Sequence, residues 1–136
     1  MGKPTFGTSV YQANPEPLSF FDAEDVCQAQ SSHLTSVLSM EENAFIYSLG
    51  SPLQATWVGG QLDHAAGSNL SWTDGSSTNF TLWMPNEPNN YLGTEACVAQ
   101  GLLRSNRLEV ASHWNDVQCA SRLPYVCKTT YTRTAI

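Results

Sequence analysis

Apolar and polar positions alternate along the chain at two different periods, and the period changes with position. Between Ser19 and Gln30 the apolar residues Phe20, Phe21, Ala23, Val26 and Cys27 fall on one side of a 3.6-residue repeat, which predicts a helix with that side buried. Asp22, Glu24 and Asp25 suit its first turns, where the helix dipole favours negative charge. A second helix is predicted over Met40–Leu49. Ser39 is placed to cap it, Glu42 to complete a capping box, and Gly50-Ser51-Pro52 to close it. Its inward face is predicted to carry Phe45, Ile46 and Leu49.

Beyond the helices the pattern shortens. Thr56-Trp57-Val58-Gly59-Gly60 reads as a short buried strand whose glycines mark a close backbone approach. Ala96 to Leu103, Val110 to Val117 and Leu123 to Lys128 read as strands of an antiparallel sheet. The fold class expected is therefore α+β, with two helices packed on antiparallel sheets. Between them, Gln61 to Gly93 is rich in Gly, Ser, Thr, Asn and Pro. A connection of that length in a compact domain is usually functional, and Trp72, Phe80 and Trp83 are its candidate anchors. Neither internal repeats nor a composition break divides the chain, so residues 1–136 are read as a single domain.

Composition narrows the partners. Of 136 residues, 41% are hydrophobic, enough for a core, and only 13% are charged. The net charge of −6 argues against nucleic acid or an anionic membrane surface, both of which reward basic patches. No apolar run is long enough to insert into a bilayer. Met1 to Phe6 lacks the apolar stretch of a secretory signal. It also misses the myristoylation pattern, which needs Ser or Thr where Phe6 stands. Four cysteines, Cys27, Cys97, Cys119 and Cys127, form an even set with no Cys-x-x-Cys pair. That favours an oxidising, secreted or extracellular setting over a zinc site, and it permits three disulfide connectivities. The sequons at Asn69 and Asn79 are candidate glycosylation sites and lean the same way.

Two segments concentrate oxygen donors: Glu87-Pro88-Asn89-Asn90 with Glu95 behind it, and Trp114-Asn115-Asp116. Glu87, Glu95 and Asp116 bring negative charge, while Asn89 and Asn115 bring amide oxygens. Three converging carboxylates repel one another unless a cation joins them, and calcium takes six to eight such oxygens. With no His or Cys in either segment, zinc is a poor candidate. Cys97 follows the first segment and Cys119 the second, so a disulfide between them would lay the two side by side.

In order along the chain, the helix carrying Cys27, the Ser39-capped helix, Trp57-Val58-Gly59-Gly60, Trp72-Thr73-Asp74-Gly75-Ser76, Trp83, Glu87-Pro88-Asn89, Cys97, Trp114-Asn115-Asp116, Cys119 and Cys127 resemble the landmarks of a C-type lectin-like domain. The resemblance covers nearly the whole chain. It implies one calcium ion shared with a sugar, with Glu87, Asn89, Glu95, Asn115 and Asp116 as metal and carbohydrate ligands. Tyr91 and Val117 would contact the sugar as well. It pairs Cys27 with Cys127 and Cys97 with Cys119. Loop closure gives those bridges roughly 4–5 and about 3 kcal/mol. The lack of an upstream cysteine pair resembles the family's short form, with Ser9-Val10-Tyr11 in the first strand. Pro88 would follow a cis bond. Glu-Pro-Asn is similar to sites for mannose, fucose and N-acetylglucosamine, whereas Gln-Pro-Asp goes with galactose. Members with a second calcium carry acidic residues where this chain has Leu62, Ala66, Asn90 and Ala96, so one ion is expected, with Asp63 the nearby carboxylate that could compensate.

The expected partners are glycans or glycoproteins ending in mannose-type sugars, bound with avidity if several copies assemble. Catalysis is not expected. Glu87 and Glu95 could mimic a glycosidase pair, but calcium ligation would consume both. His33, His64 and His113 adjoin no nucleophile signature and read as surface or capping residues, His113 alone lying near the site. The alternative is a domain of this fold that binds protein, or ice, instead of sugar.

Overall fold

The computed structural model describes residues 3–50, 54–67, 69–85, 87–88, 95–101 and 111–130. Strands β1 (Thr5–Phe6) and β2 (Ser9–Leu18) form a hairpin, followed by helix α1 (Phe20–Ala29), strand β3 (His33–Leu34) and helix α2 (Met40–Leu49). Strands β4 (Thr56–Asp63), β5 (Asn69–Trp72), β6 (Glu95–Gln100), β7 (Trp114–Gln118) and β8 (Leu123–Thr130) complete the described elements. The predicted strand ends at Leu103 and Val110, and the Ser51-Pro52 helix stop, lie outside the described residues.

These strands join in one sheet in the order β1-β2-β8-β4-β6-β7, with β3 added to β8 and β5 to β4. Pairing is antiparallel except between β4 and β8, which run parallel at Trp57 and Tyr125. The predicted loop therefore begins later than its composition implied. Strand β4 continues to Asp63 and folds back as β5, pairing Gly60 with Trp72 and Asp63 with Asn69.

Successive residues of the central strands enter opposite cores, as the two-residue period requires. Trp57, Cys97 and Tyr125 join Phe20, Ala23 and Cys27 of α1 on one face. Their neighbours Val58, Val98 and Val126 join Ile46 of α2, Trp72 and Trp114 on the other. Burial on both faces explains why these strands read as apolar runs. Phe20 meets Trp57 edge to face at 5.5 Å, and the Trp57 indole donates to the Leu18 carbonyl at 2.9 Å.

The predicted Ser39 cap forms, accepting from the Glu42 amide, and Ser19 caps α1 in the same way by accepting from the Asp22 amide. Four expectations about side chains need correction. Phe21 is exposed, with its ring edge to face against Phe20. Glu24 is not a solvated first-turn charge but is buried, accepting from the Leu34 amide and from the Gln28 side chain, and pairing with His33. His33 is accordingly an ion-pair partner as well as a surface residue. The reciprocal half of the capping box is absent. The Glu42 carboxylate instead accepts from the Leu38 amide at 2.8 Å and from the Tyr11 hydroxyl at 2.5 Å, and pairs with Lys128 at 2.6 Å.

Glu42 and Lys128 are both sealed from solvent, at 4% and 5% exposure. The ammonium also donates to Ser36, whose hydroxyl donates in turn to Asp74. Burial, reinforced by Glu42, holds the Tyr11 hydroxyl protonated well above the usual tyrosine range.

The glycine prediction holds at Gly59. Its amide donates to the Thr35 carbonyl and its carbonyl accepts from the Thr73 amide, so β4 leaves its ladder there. A Cβ at Gly59 would stand 2.6 Å from the Leu34 carbonyl oxygen and 2.8 Å from the Thr73 hydroxyl. The Leu34 oxygen is backbone and cannot swing aside. Gly59→Ala is expected to lower stability by about 1–3 kcal/mol in chemical denaturation; an unchanged midpoint would contradict this packing.

Candidate functional site

Trp114 is the keystone of the site. Its indole N–H donates to Asn43 Oδ1 at 2.9 Å. Asn43, itself buried on α2, also accepts from Gln100 and donates to Ser112. Trp72, Phe80 and Trp83 surround the Trp114 ring in edge-on contacts at 5.3, 5.9 and 5.7 Å. The three aromatics predicted as loop anchors thus converge on one residue. Asn43, Gln100 and Ser112 were not singled out from the sequence, because buried polar partners leave no periodic signal.

The backbone completes the docking. The Trp114 amide donates to the Leu82 carbonyl, and the Met84 amide to the Trp114 carbonyl, at 2.8 and 2.9 Å. The Glu87 amide then donates to the Met84 carbonyl at 3.0 Å. This chain of bonds leads from Trp114 of β7, the last strand of the sheet order, through Met84 to Glu87. Glu87 is half-buried with its Oε1 withdrawn from solvent, and the Glu87–Pro88 bond is cis, as the resemblance implied.

Along β7 the side chains alternate. Trp114 and Asp116 are buried while Asn115 and Val117 are half-buried, with Val117 packed against the α1-side core. Strand β6 lies across from β7, pairing Val98 with Asp116 and Cys97 with Val117, then Glu95 with Gln118 past a bulge. Asn115 and Asp116 therefore sit between the Trp114 end, where the Glu87 segment docks, and the Gln118 end, where Glu95 enters the sheet. Asn89 and Tyr91 lie outside the described residues.

Both disulfides form in the pairing the resemblance implied. Cys97–Cys119 has its Cα atoms 5.2 Å apart and clasps β6 to the end of β7. Cys27–Cys127 ties α1 to β8 across a sequence separation of 100. The described cysteines include no free thiol.

The histidine expectations change at the site. The Nε2 of His64 meets the main-chain carbonyl of Glu95, so His113 is not the only histidine close by. His64 stands in a single 3-10 turn between β4 and β5. His113 has a buried Nδ1 and its carbonyl accepts from the Gly101 amide, so it is not a plain surface residue.

Among the described residues, no three His, Cys, Asp or Glu side chains gather closely enough to hold a metal. The carboxylates of Glu87, Glu95 and Asp116, all described, therefore do not close into one group of three. The donor chemistry nevertheless fits a hard cation. Every donor is oxygen, Asp116 is fully buried, and Glu87 turns an oxygen out of solvent. Oxygen donors partly withdrawn from water suit calcium and give soft metals nothing to prefer.

This arrangement, with two disulfides, a mixed sheet and a long loop docked on Trp114, is that of a C-type lectin domain. The family model for the C-type lectin domain matches residues 16–129, and the chain belongs to that family. It is 38% identical to the versican core protein of Bos taurus over 107 residues, covering 78% of this chain and 3% of that protein. The chain thus spans only a few hundredths of the length of the versicans it matches. It is 31% identical to the alpha-N-acetylgalactosamine-specific lectin of Patiria pectinifera over 118 residues, covering 81% of this chain and 67% of that one. Among solved structures, an SPL-1–GlcNAc complex superposes with a TM-score of 0.74 at 32% identity, covering 94% of this chain and 92% of that one. A calcium-independent type II antifreeze protein superposes at 0.80 and 26% identity, covering 95% and 92%.

Proposed function

We propose that the protein binds mannose-type sugars through one calcium ion at the outer edge of β7. The observation that supports this reading is that the backbone segment leading to Glu87 bonds to Trp114, the residue directly before Asn115 and Asp116. Glu87, Asn89, Glu95, Asn115 and Asp116 would hold the ion. When bound, calcium supplies a Lewis-acid centre for the lone pairs of two neighbouring sugar hydroxyls.

The chain's own residues supply the directionality. Glu87 can only accept a hydroxyl proton, whereas the Asn89 amide can donate to a hydroxyl oxygen. Their order along the loop selects which diol geometry is satisfied at both ends. Reversing the charge pattern would select the other. Val117 is half-buried beside Asp116 and offers an apolar contact, and Tyr91 a ring face. The role is binding rather than catalysis, because every carboxylate of the site is assigned to ligation.

An oxidising, extracellular location follows from two disulfides that brace a small core. Asn69 and Asn79 are both exposed, as glycan acceptors must be. Assembly into several copies would raise the avidity of a shallow single site.

The relatives bind different ligands by name. The Patiria lectin is specific for N-acetylgalactosamine, and the antifreeze structure shows this fold without calcium dependence. The second favours a protein or ice ligand as the competing reading. A glycan array in calcium and in chelator separates the two. Mannose, fucose or N-acetylglucosamine binding lost in chelator is the expected result, and no binding in either condition supports the competitor. On the same array, Glu87→Gln with Asn89→Asp is expected to move preference toward galactose by about tenfold or more, equivalent to ~1.4 kcal/mol. An unchanged mannose preference would remove these two residues from the specificity role.

A further inference from the structure

We propose that His64 is a positioning residue for Glu95, holding its backbone so that the carboxylate faces the β7 edge. The inference rests on the calcium site proposed above. Strand β6 is paired on both sides for most of its length, with β4 up to Gln61–Cys97 and with β7 up to Cys97–Val117. At its first residues that support changes. On the β7 side, a bulge separates the Cys97 pairing from the Glu95–Gln118 pairing, leaving Ala96 as the extra residue. On the β4 side the last pairing is Gln61–Cys97, so Asp63, next in register, is not laddered to Glu95.

Glu95 therefore sits where the regular ladder no longer dictates the backbone. The His64 ring takes over there. Its Nε2 meets the Glu95 carbonyl, in the place a strand amide would occupy. A carbonyl only accepts, so Nε2 carries the proton. Gly67, at φ 84°, closes the turn with its amide donating to the His64 carbonyl, which keeps the ring's backbone in place. Bulges re-aim side chains, and a side-chain donor that pins the bulge also pins that aim.

Three variants of the full chain test this by calcium titration calorimetry, with the melting temperature measured free of calcium. His64→Ala and His64→Phe both remove the donor, and His64→Phe retains a ring of similar bulk. His64→Gln restores an N–H near the position of Nε2. Loss of an outer partner of a metal ligand typically weakens metal binding 10–100-fold. His64→Ala and His64→Phe are thus expected to bind calcium about tenfold or more weakly, with His64→Gln recovering most of it. Should His64→Ala not fold, the contrast of Phe with Gln carries the test. Wild-type affinity in the folded Ala or Phe variant would overturn the inference and leave the site standing. Equal loss in Gln and Phe would overturn it too, because the N–H would then be irrelevant. A purely structural role would shift the calcium-free melting temperature and leave affinity alone. Absence of calcium binding in the wild type would instead overturn the site itself.

Discussion

Asp116→Asn is expected to weaken calcium-dependent sugar retention by about a hundredfold while leaving the fold intact. The substitution keeps the shape of a fully buried side chain in the middle of β7 and removes only its negative charge. Hard-cation affinity follows the count of charged oxygens, and losing one ligand exceeds the loss from an outer partner. Asp116 pairs with Val98 across the ladder, so its backbone is held whatever the side chain does. Retention on immobilised mannose and calcium titration should fall together, with the far-ultraviolet circular dichroism spectrum unchanged. Asp25→Asn, on the exposed side of α1, serves as a control with equal change in net charge. If the two variants bind calcium alike, Asp116 is not a ligand, and the β7 edge loses its central donor.

The largest effect on stability is expected at Lys128→Met. The Lys128 ammonium is the cationic partner of Glu42 at 2.6 Å, and both side chains are sealed inside the domain. Removing one member of such a pair leaves the other charge uncompensated, which typically costs about 3–5 kcal/mol. For a domain of this size that corresponds to a fall in melting temperature of roughly 10–15 °C. Adding Glu42→Gln should restore at least half of the loss. The amide oxygen can keep the Leu38 N–H bond on the Oε1 side, the amide nitrogen can donate to the Tyr11 hydroxyl oxygen on the Oε2 side, and no charge remains to be compensated. Additive losses in the double variant would show that the two residues do not stabilise one another.

The Lys128 network also shows where sequence patterns run out. Lys128, Glu42 and Glu24 are charged residues that pattern alone assigns to solvent, and all three are buried. Lys128 turns inward because Glu42 and Ser36 await it, 86 and 92 residues back along the chain. Nothing local records such a meeting. Phe21 is the converse case, an apolar residue left exposed while its neighbour Phe20 is fully buried. Strand β5 was hidden for a related reason. Asn69-Leu70-Ser71-Trp72 has weak alternation of its own and becomes a strand by pairing with β4.

What was legible was local or strongly patterned. Ser39 announces its helix because a cap bonds an amide three residues away. Gly59 announces a close approach because no other residue leaves room for the Leu34 carbonyl. The ordered landmarks from Cys27 to Cys127 carried the family, and with it the disulfide pairing.

The sequence by itself determined which oxygen donors this protein can offer: carboxylates and amides in two segments, each followed by a cysteine. Those properties belong to side-chain composition and survive any rearrangement of the backbone. Only the tertiary structure decided that the Leu82–Met84 segment, one bond from Glu87, docks on β7 at Trp114. That placement depends on Trp114 being held at once by Asn43, three aromatic rings and two backbone bonds. It also decided that His64 meets Glu95, a contact made by a ladder that ends two residues early. Such contacts join residues distant in sequence, and they exist only once the sheet has set its register.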